Sequence, residues 1–148
     1  MGRKNSPSAN KELNELIAQY ETARAENRQL YLDGDQLADI ADQYAAGRKF
    51  NEAQEVITYG LHLHPDSTDL LVEQAYLYLD TGKIPLAKKV VESITDEYDT
   101  DVKMLKAELM LNEGQLENAR NVLDTIEDAD ELETIINIVY LYMDMGYP

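Results

Sequence analysis

The chain has 148 residues, which is enough for a domain with a hydrophobic core, and 44% of them are hydrophobic, which argues against disorder along the whole length. It carries 13 Lys and Arg against 29 Asp and Glu, a formal net charge of −16, which argues against nucleic acid or an anionic membrane as partner. A basic protein or peptide would be attracted, although the simpler interpretation is a solvated acidic surface that keeps the chain soluble. Cysteine is absent, so disulfide and thiolate chemistry are excluded, and we expect a cytoplasmic protein.

Hydrophobic periodicity and turn signals predict eight helices. Residues 1–10 are polar and without periodicity, and we expect them to form a flexible tail. A first helix over 11–28 ends before the turn signal Asp33-Gly34-Asp35, which makes 11–32 an N-terminal packing segment. The remaining helices are predicted at 34–46, 51–63, 68–80, 84–95, 101–112, 116–126 and 131–144.

From residue 33 onward the chain repeats itself every 32 to 34 residues. Several position classes share this period: Ala41, Ala75, Ala107 and Val139; Tyr44, Tyr78, Met110 and Tyr142; Ala53, Ala87 and Ala119; and the turn glycines Gly82, Gly114 and Gly146, with Gly47 one place early. Small residues let the two helices of a hairpin cross closely, and glycine permits the left-handed backbone that ends a helix. Each hairpin leaves an apolar flank that the next one covers, so the units are expected to stack.

These residues resemble the tetratricopeptide repeat family over residues 34–148. The first unit matches the family through Leu37, Ile40, Ala41, Tyr44, Phe50, Ala53, Ile57 and Pro65, with Gly60 where a small residue is usual. The second unit has Gln74 where Leu is common, the third has Lys103 and Lys106 at usually apolar places, and the fourth has only its first helix. The resemblance implies an all-α, right-handed α-solenoid of antiparallel helix hairpins, with about three and a half repeats over 33–148 and a truncated C-terminus.

No residue pattern in the chain predicts catalysis, a cofactor or a metal. His62 and His64 lie two residues apart, whereas a helical metal pair needs a spacing near four. The acidic run of Asp96, Asp99 and Asp101 lacks the Gly and Glu of a calcium loop. Phosphate-loop, nucleophile-elbow and zinc signatures are absent, so we expect no catalytic, cofactor-binding or metal-binding residue and no enzyme.

The resemblance implies that the first helix of each repeat lines a concave groove that binds a peptide or an amphipathic helix. The candidate groove residues are Asp35, Asp42, Val72, Tyr76, Leu79, Met104, Glu108, Leu111, Ile136, Tyr140 and Met143, and the aligned places also hold Ala38, Ala45 and Asp69. Tyr, Met and Leu provide adaptable contact surface, and the acids favour a basic partner. The alternative is that these side chains are covered within the chain.

Some members of the family grip a C-terminal carboxylate with Lys, Asn and Arg on successive first helices. The places aligned with that clamp hold Ala38, Asp42, Glu73, Asp101 and Leu105, so binding of acidic C-terminal tails is not expected. Two other functions stay open. The chain is a structural module that pairs with a second copy through Ile135, Ile138 and Val139, or it is the adaptor segment of a larger protein with its activity elsewhere.

Overall fold

The computed structural model describes the backbone of residues 7–126 and the side chains from Asn10 onward. This range contains only helices and no strand, which confirms the all-α class. The helices are α1 (Pro7–Ala25), α2 (Gly34–Ala46), α3 (Phe50–Leu63), α4 (Thr68–Asp80), α5 (Ile84–Ser93), α6 (Thr100–Asn112) and α7 (Leu116–Leu123). The bounds of α2 to α6 lie within two residues of the expected ones, and the eighth expected helix, 131–144, lies outside the described residues.

The first helix differs most from expectation, because it begins at Pro7 rather than at residue 11. Proline is favourable in the first turn of a helix, where its missing N–H would have no partner and its fixed φ already suits the helix. Residues 7–10 therefore belong to α1 and not to a tail. At the other end α1 stops at Ala25 rather than at residue 28, and Asn27 follows with a φ of 54°.

Four helices, α1, α2, α4 and α6, end with the same hydrogen-bonded turn. In each, a residue in the left-handed region follows the helix, and the next N–H donates to the carbonyl five residues earlier, as in a Schellman motif. The left-handed residues are Asn27, Arg48, Gly82 and Gly114. The corresponding hydrogen bonds are Arg28 to Ala23, Lys49 to Tyr44, Lys83 to Tyr78 and Gln115 to Met110. Gly47, the turn glycine that stands one place early in the first repeat, has a φ of −86°, and Arg48, at the place of Gly82 in the repeat, takes the left-handed conformation.

The chain divides between Leu77 and Tyr78 into two compact units. In the first unit α2 packs against both α1 and α3, and the first turns of α4 complete the core. The residues fully buried there are Leu37, Ile40, Val56, Ile57 and Leu70. Gly60 lies where side chains of α2 and α4 pack against α3, because a Cβ at this position would stand 2.8 Å from Leu70 Cδ1 and 3.4 Å from Leu37 Cδ1.

Polar contacts hold α1 and the loop after it onto this core. The Tyr59 hydroxyl donates a 2.5 Å hydrogen bond to the carbonyl of Leu30, and His64 Nε2 lies 2.8 Å from the carbonyl of Leu32. These bonds satisfy two backbone carbonyls of a segment without regular structure, as buried or half-buried carbonyls require. His64 therefore has a structural role at the end of α3.

In the second unit α6 packs against both α5 and α7. One buried cluster in this unit contains Met104, Ala107, Leu111, Ala119, Leu123 and Ile126. Lys103, which stands where the family usually has an apolar residue, donates from Nζ to the carbonyl of Thr125 at 2.9 Å and lies 6.0 Å from the centre of the Tyr98 ring. The lysine thus replaces an apolar contact with a hydrogen bond to a carbonyl just beyond α7.

Candidate partner-binding site

The first helices of the three described repeats are α2, α4 and α6. The alignment of the repeats puts four predicted groove positions on each of these helices, and we number these places one to four in chain order. The second place is buried in all three helices, where it holds Ala38, Val72 and Met104. The fourth place is half-buried as Ala45 and Leu79 and buried as Leu111. A side chain that is nearly inaccessible to solvent contributes to the core and has little surface for a partner. Val72, Met104 and Leu111 are therefore core residues in the observed fold.

The first and third aligned places are accessible in all three helices. The first place holds Asp35, Asp69 and Asp101, and the third holds Asp42, Tyr76 and Glu108. Asp35 and Asp101 are exposed and the other four are half-buried. Five of these six accessible side chains are carboxylates, so the accessible part of the predicted site is more acidic and less apolar than the full list of candidates indicates.

Neither α2 nor α4 contains a lysine or an arginine. The acidic residues of the two helices are Asp35, Asp39, Asp42, Asp69, Glu73 and Asp80. Up to Leu77 both helices belong to the first unit, where Leu37 of α2 and Leu70 of α4 meet at Gly60 of α3. Six carboxylates on these two helices favour a negative potential that attracts cationic groups.

Tyr76 is the one aromatic residue among the accessible places. It is half-buried, whereas its neighbours Ala75 and Leu77 are buried. The α4 backbone therefore packs into the core on either side of Tyr76 and fixes where its ring emerges. A tyrosine held in this way offers apolar surface at a small cost in conformational entropy. Tyr76 is thus suited to contact a partner.

Several predicted residues lie outside the described range. These are the groove candidates Ile136, Tyr140 and Met143 and the self-association residues Ile135, Ile138 and Val139. Leu79 and Glu108 are described but belong to the second unit. The predicted site residues that the structure describes within the first unit are therefore those on α2 and α4 within residues 34–77.

Sequence reasoning missed an open cleft on the other side of α6. Lys106, Met110 and Glu113 face it, together with residues of α5. Lys106 stands at a place that is usually apolar in the family, and this departure is the feature of the sequence that could have indicated the cleft. Within residues 7–126, no group of three or more His, Cys, Asp or Glu is placed to hold a metal, and no helix is both long and apolar enough to cross a membrane.

Comparison with known proteins gives one match. Residues 44–109, from the last turn of α2 into α6, match the tetratricopeptide repeat family. The searches of curated proteins and of solved structures found no match. The matched segment includes Gln74, Lys103 and Lys106, so these departures do not remove the repeat pattern. The match over residues 44–109 supports the resemblance of this chain to the tetratricopeptide repeat family.

Proposed function

We propose that this chain is a protein-interaction adaptor whose α2 and α4 bind a basic peptide or a basic amphipathic helix of a partner protein. Tetratricopeptide repeats generally mediate protein–protein interactions and are generally not enzymes. The observation that carries the proposal is the chemistry of the accessible first-helix places. They hold Asp35, Asp42, Asp69 and Tyr76 on two helices that contain no cation.

The carboxylates and the tyrosine have different roles in this proposal. Asp35, Asp42 and Asp69 attract Lys and Arg side chains, which speeds association and makes binding weaker as salt rises. Tyr76 supplies contact area to hold the bound partner, because aromatic residues provide a large share of the binding energy at interfaces. The buried Ala38 and Val72 hold the helices in place beneath this surface.

The same chemistry argues against an acidic ligand. An acidic C-terminal tail would have to place its carboxylates beside Asp42 and Glu73, at places where clamp-forming family members carry donors. Like charges at such an interface cost binding energy. We therefore expect no measurable binding of acidic C-terminal peptides.

Selection from a random displayed-peptide library tests the proposal even though the natural partner is unidentified. The wild-type chain should enrich peptides rich in Lys and Arg, and raising the salt concentration should weaken them. Asp35→Asn/Asp42→Asn should weaken the enriched peptides about ten-fold or more, and Tyr76→Ala should weaken them without changing their salt dependence.

The matched control is Glu12→Gln/Glu15→Gln, which removes the same charge from exposed positions of α1. Thermal unfolding of every variant reports whether the fold is retained. The proposal is rejected if the enriched peptides show no excess of cations, or if the α1 control and the α2 variant bind them equally well.

A further inference from the structure

The second unit contains a cleft between α5 and α6 that the first-helix places do not include. It has a volume of about 500 Å³, which is within the range of about 300–1,000 Å³ typical of ligand pockets. On α6 it is lined by Lys106, Leu109, Met110 and Glu113. At about 100° per residue, these positions lie on the face of α6 opposite Met104, Glu108 and Leu111. The cleft is therefore a separate surface.

The cleft has an apolar floor and an ion pair on its lining. The floor residues are Val91, Ile94, Leu109 and Met110. Val91, Ile94 and Leu109 are each 5% exposed, so the floor is a fixed part of the core, and Met110 is half-buried. On the lining, Lys88 Nζ lies 3.2 Å from Glu113 Oε2, and these two charges neutralise each other.

The rest of the rim also carries charged side chains. Glu92 and Glu97 are exposed, Lys106 is half-buried, and none of the three forms an ion pair among the described residues. Asp96 lies beside Glu97 on the same loop. The open part of the rim is thus net acidic, with one ammonium group that can donate hydrogen bonds inward.

We propose that this cleft is a docking site for one large apolar side chain, flanked by Lys or Arg, from a partner protein. The apolar floor receives the side chain and gains from removing its surface from water. Glu92 and Glu97 pair with the flanking cations, and Lys106 donates to a backbone carbonyl beside the anchor. The proposal does not depend on the α2 and α4 surface, because the two share no residue.

A tryptophan peptide tests the cleft directly, because the chain contains no tryptophan and the emission of the probe can be excited selectively. The probe is acetyl-Gly-Arg-Arg-Trp-Arg-Arg-Gly-amide, and the charge control replaces its arginines with glutamates. We expect the emission of the arginine peptide to shift to the blue on binding, because the ring leaves water. The glutamate peptide should show no shift.

Variants then separate the cleft from the other acidic surface. Glu92→Lys/Glu97→Lys should weaken the arginine peptide about ten-fold or more. Glu12→Lys/Asp124→Lys makes the same change of net charge at exposed positions outside the cleft and should leave the affinity within about two-fold. The proposal would be overturned if the emission of the arginine peptide did not shift to the blue, or if both charge-reversal variants lost affinity equally. It would also be overturned if only Asp35→Asn/Asp42→Asn lost affinity for this peptide. The fluorescence test of the cleft does not depend on the peptide selection that tests α2 and α4, so failure of that selection would leave the conclusion about the cleft unchanged.

Discussion

The hydroxyl of Tyr44 in α2 donates a 2.6 Å hydrogen bond to the Glu21 carboxylate in α1. Burial, and then this hydrogen bond, raise the pKa of Tyr44 well above the ordinary value for tyrosine. The folded chain therefore favours the neutral phenol more strongly than the unfolded chain does. The bond links the N-terminal helix to the first repeat, so its loss should lower the free energy of unfolding by a measurable amount.

Tyr44→Phe should lower the free energy of unfolding at pH 7 by about 1 kcal/mol, because the hydrogen bond to Glu21 is lost while the ring remains. In the wild-type chain the unfolded state loses the phenolic proton first, near pH 10, so stability should fall as the pH rises above about 10. Tyr44→Phe should reduce this decline. Chemical unfolding as a function of pH measures both effects.

Tyr20→Phe is the matched comparison. The Tyr20 hydroxyl is buried and has no hydrogen-bond partner among the described residues, and burial also raises the pKa of Tyr20. Its removal should leave stability at pH 7 unchanged or slightly higher, because no bond is broken. If Tyr20→Phe were as destabilising as Tyr44→Phe, the importance assigned to the bond with Glu21 would be wrong.

Gln74, which stands where leucine is common in the family, pairs with Gln54. The two side-chain amides exchange hydrogen bonds of 2.8 Å and 3.0 Å between α3 and α4, and Gln74 is only 6% exposed. Gln54→Ala leaves a buried amide without its partner and should cost about 1–3 kcal/mol. Gln54→Leu/Gln74→Leu replaces both amides with apolar groups of similar size and should cost less than Gln54→Ala alone. Chemical unfolding measures both losses, and a double variant less stable than Gln54→Ala would contradict this account.

Gly60 should tolerate alanine poorly because its missing side chain lets α3 approach α4. The added Cβ would lie 2.8 Å from Leu70 Cδ1, and Leu70 is fully buried. Gly60→Ala is therefore expected to destabilise the chain by about 1–3 kcal/mol. Leu70→Val should relieve part of the clash, so thermal unfolding of the double variant should show a smaller loss than the sum of the single ones. Additive losses would show that the two side chains do not meet.

Two glycines at helix ends should respond to alanine in opposite ways. Gly114 has a φ of 77°, so Gly114→Ala should cost about 1 kcal/mol although no described atom beyond its chain neighbours lies within 4 Å of the new Cβ. Gly47 has a φ of −86°, and its new Cβ would make ordinary contacts at 3.6 Å and 3.8 Å. Gly47→Ala should therefore leave stability unchanged or raise it by up to about 1 kcal/mol. Equal losses in the two variants would refute the assignment of the turn to Arg48.

The sequence predicts the helix bounds well because they depend on local signals. Apolar periodicity and the turn glycines Gly82 and Gly114 fix α4 to α6 within two residues. Arg48 lies one 34-residue repeat before Gly82, but the residue type gives no sign of a left-handed backbone, and the adjacent Gly47 points to the wrong residue.

The candidate site is harder to predict because accessibility depends on packing between helices. Val72 and Met104 belong to the same helix face as Tyr76 and Glu108, yet they are buried and the latter two are not. The pairing of Gln54 with Gln74, and the role of His64, likewise depend on which helices meet, and no local pattern in the sequence specifies that.

Titration of the isotope-labelled chain with a basic peptide from the library selection, followed by backbone amide NMR, tests the central claim most directly. We predict saturable, salt-sensitive shift changes centred on Asp35, Asp42 and Tyr76, which Asp35→Asn/Asp42→Asn abolishes and Glu12→Gln/Glu15→Gln leaves intact. Changes spread evenly over the acidic surface, or centred away from α2 and α4, would contradict the assignment of partner binding to these two helices.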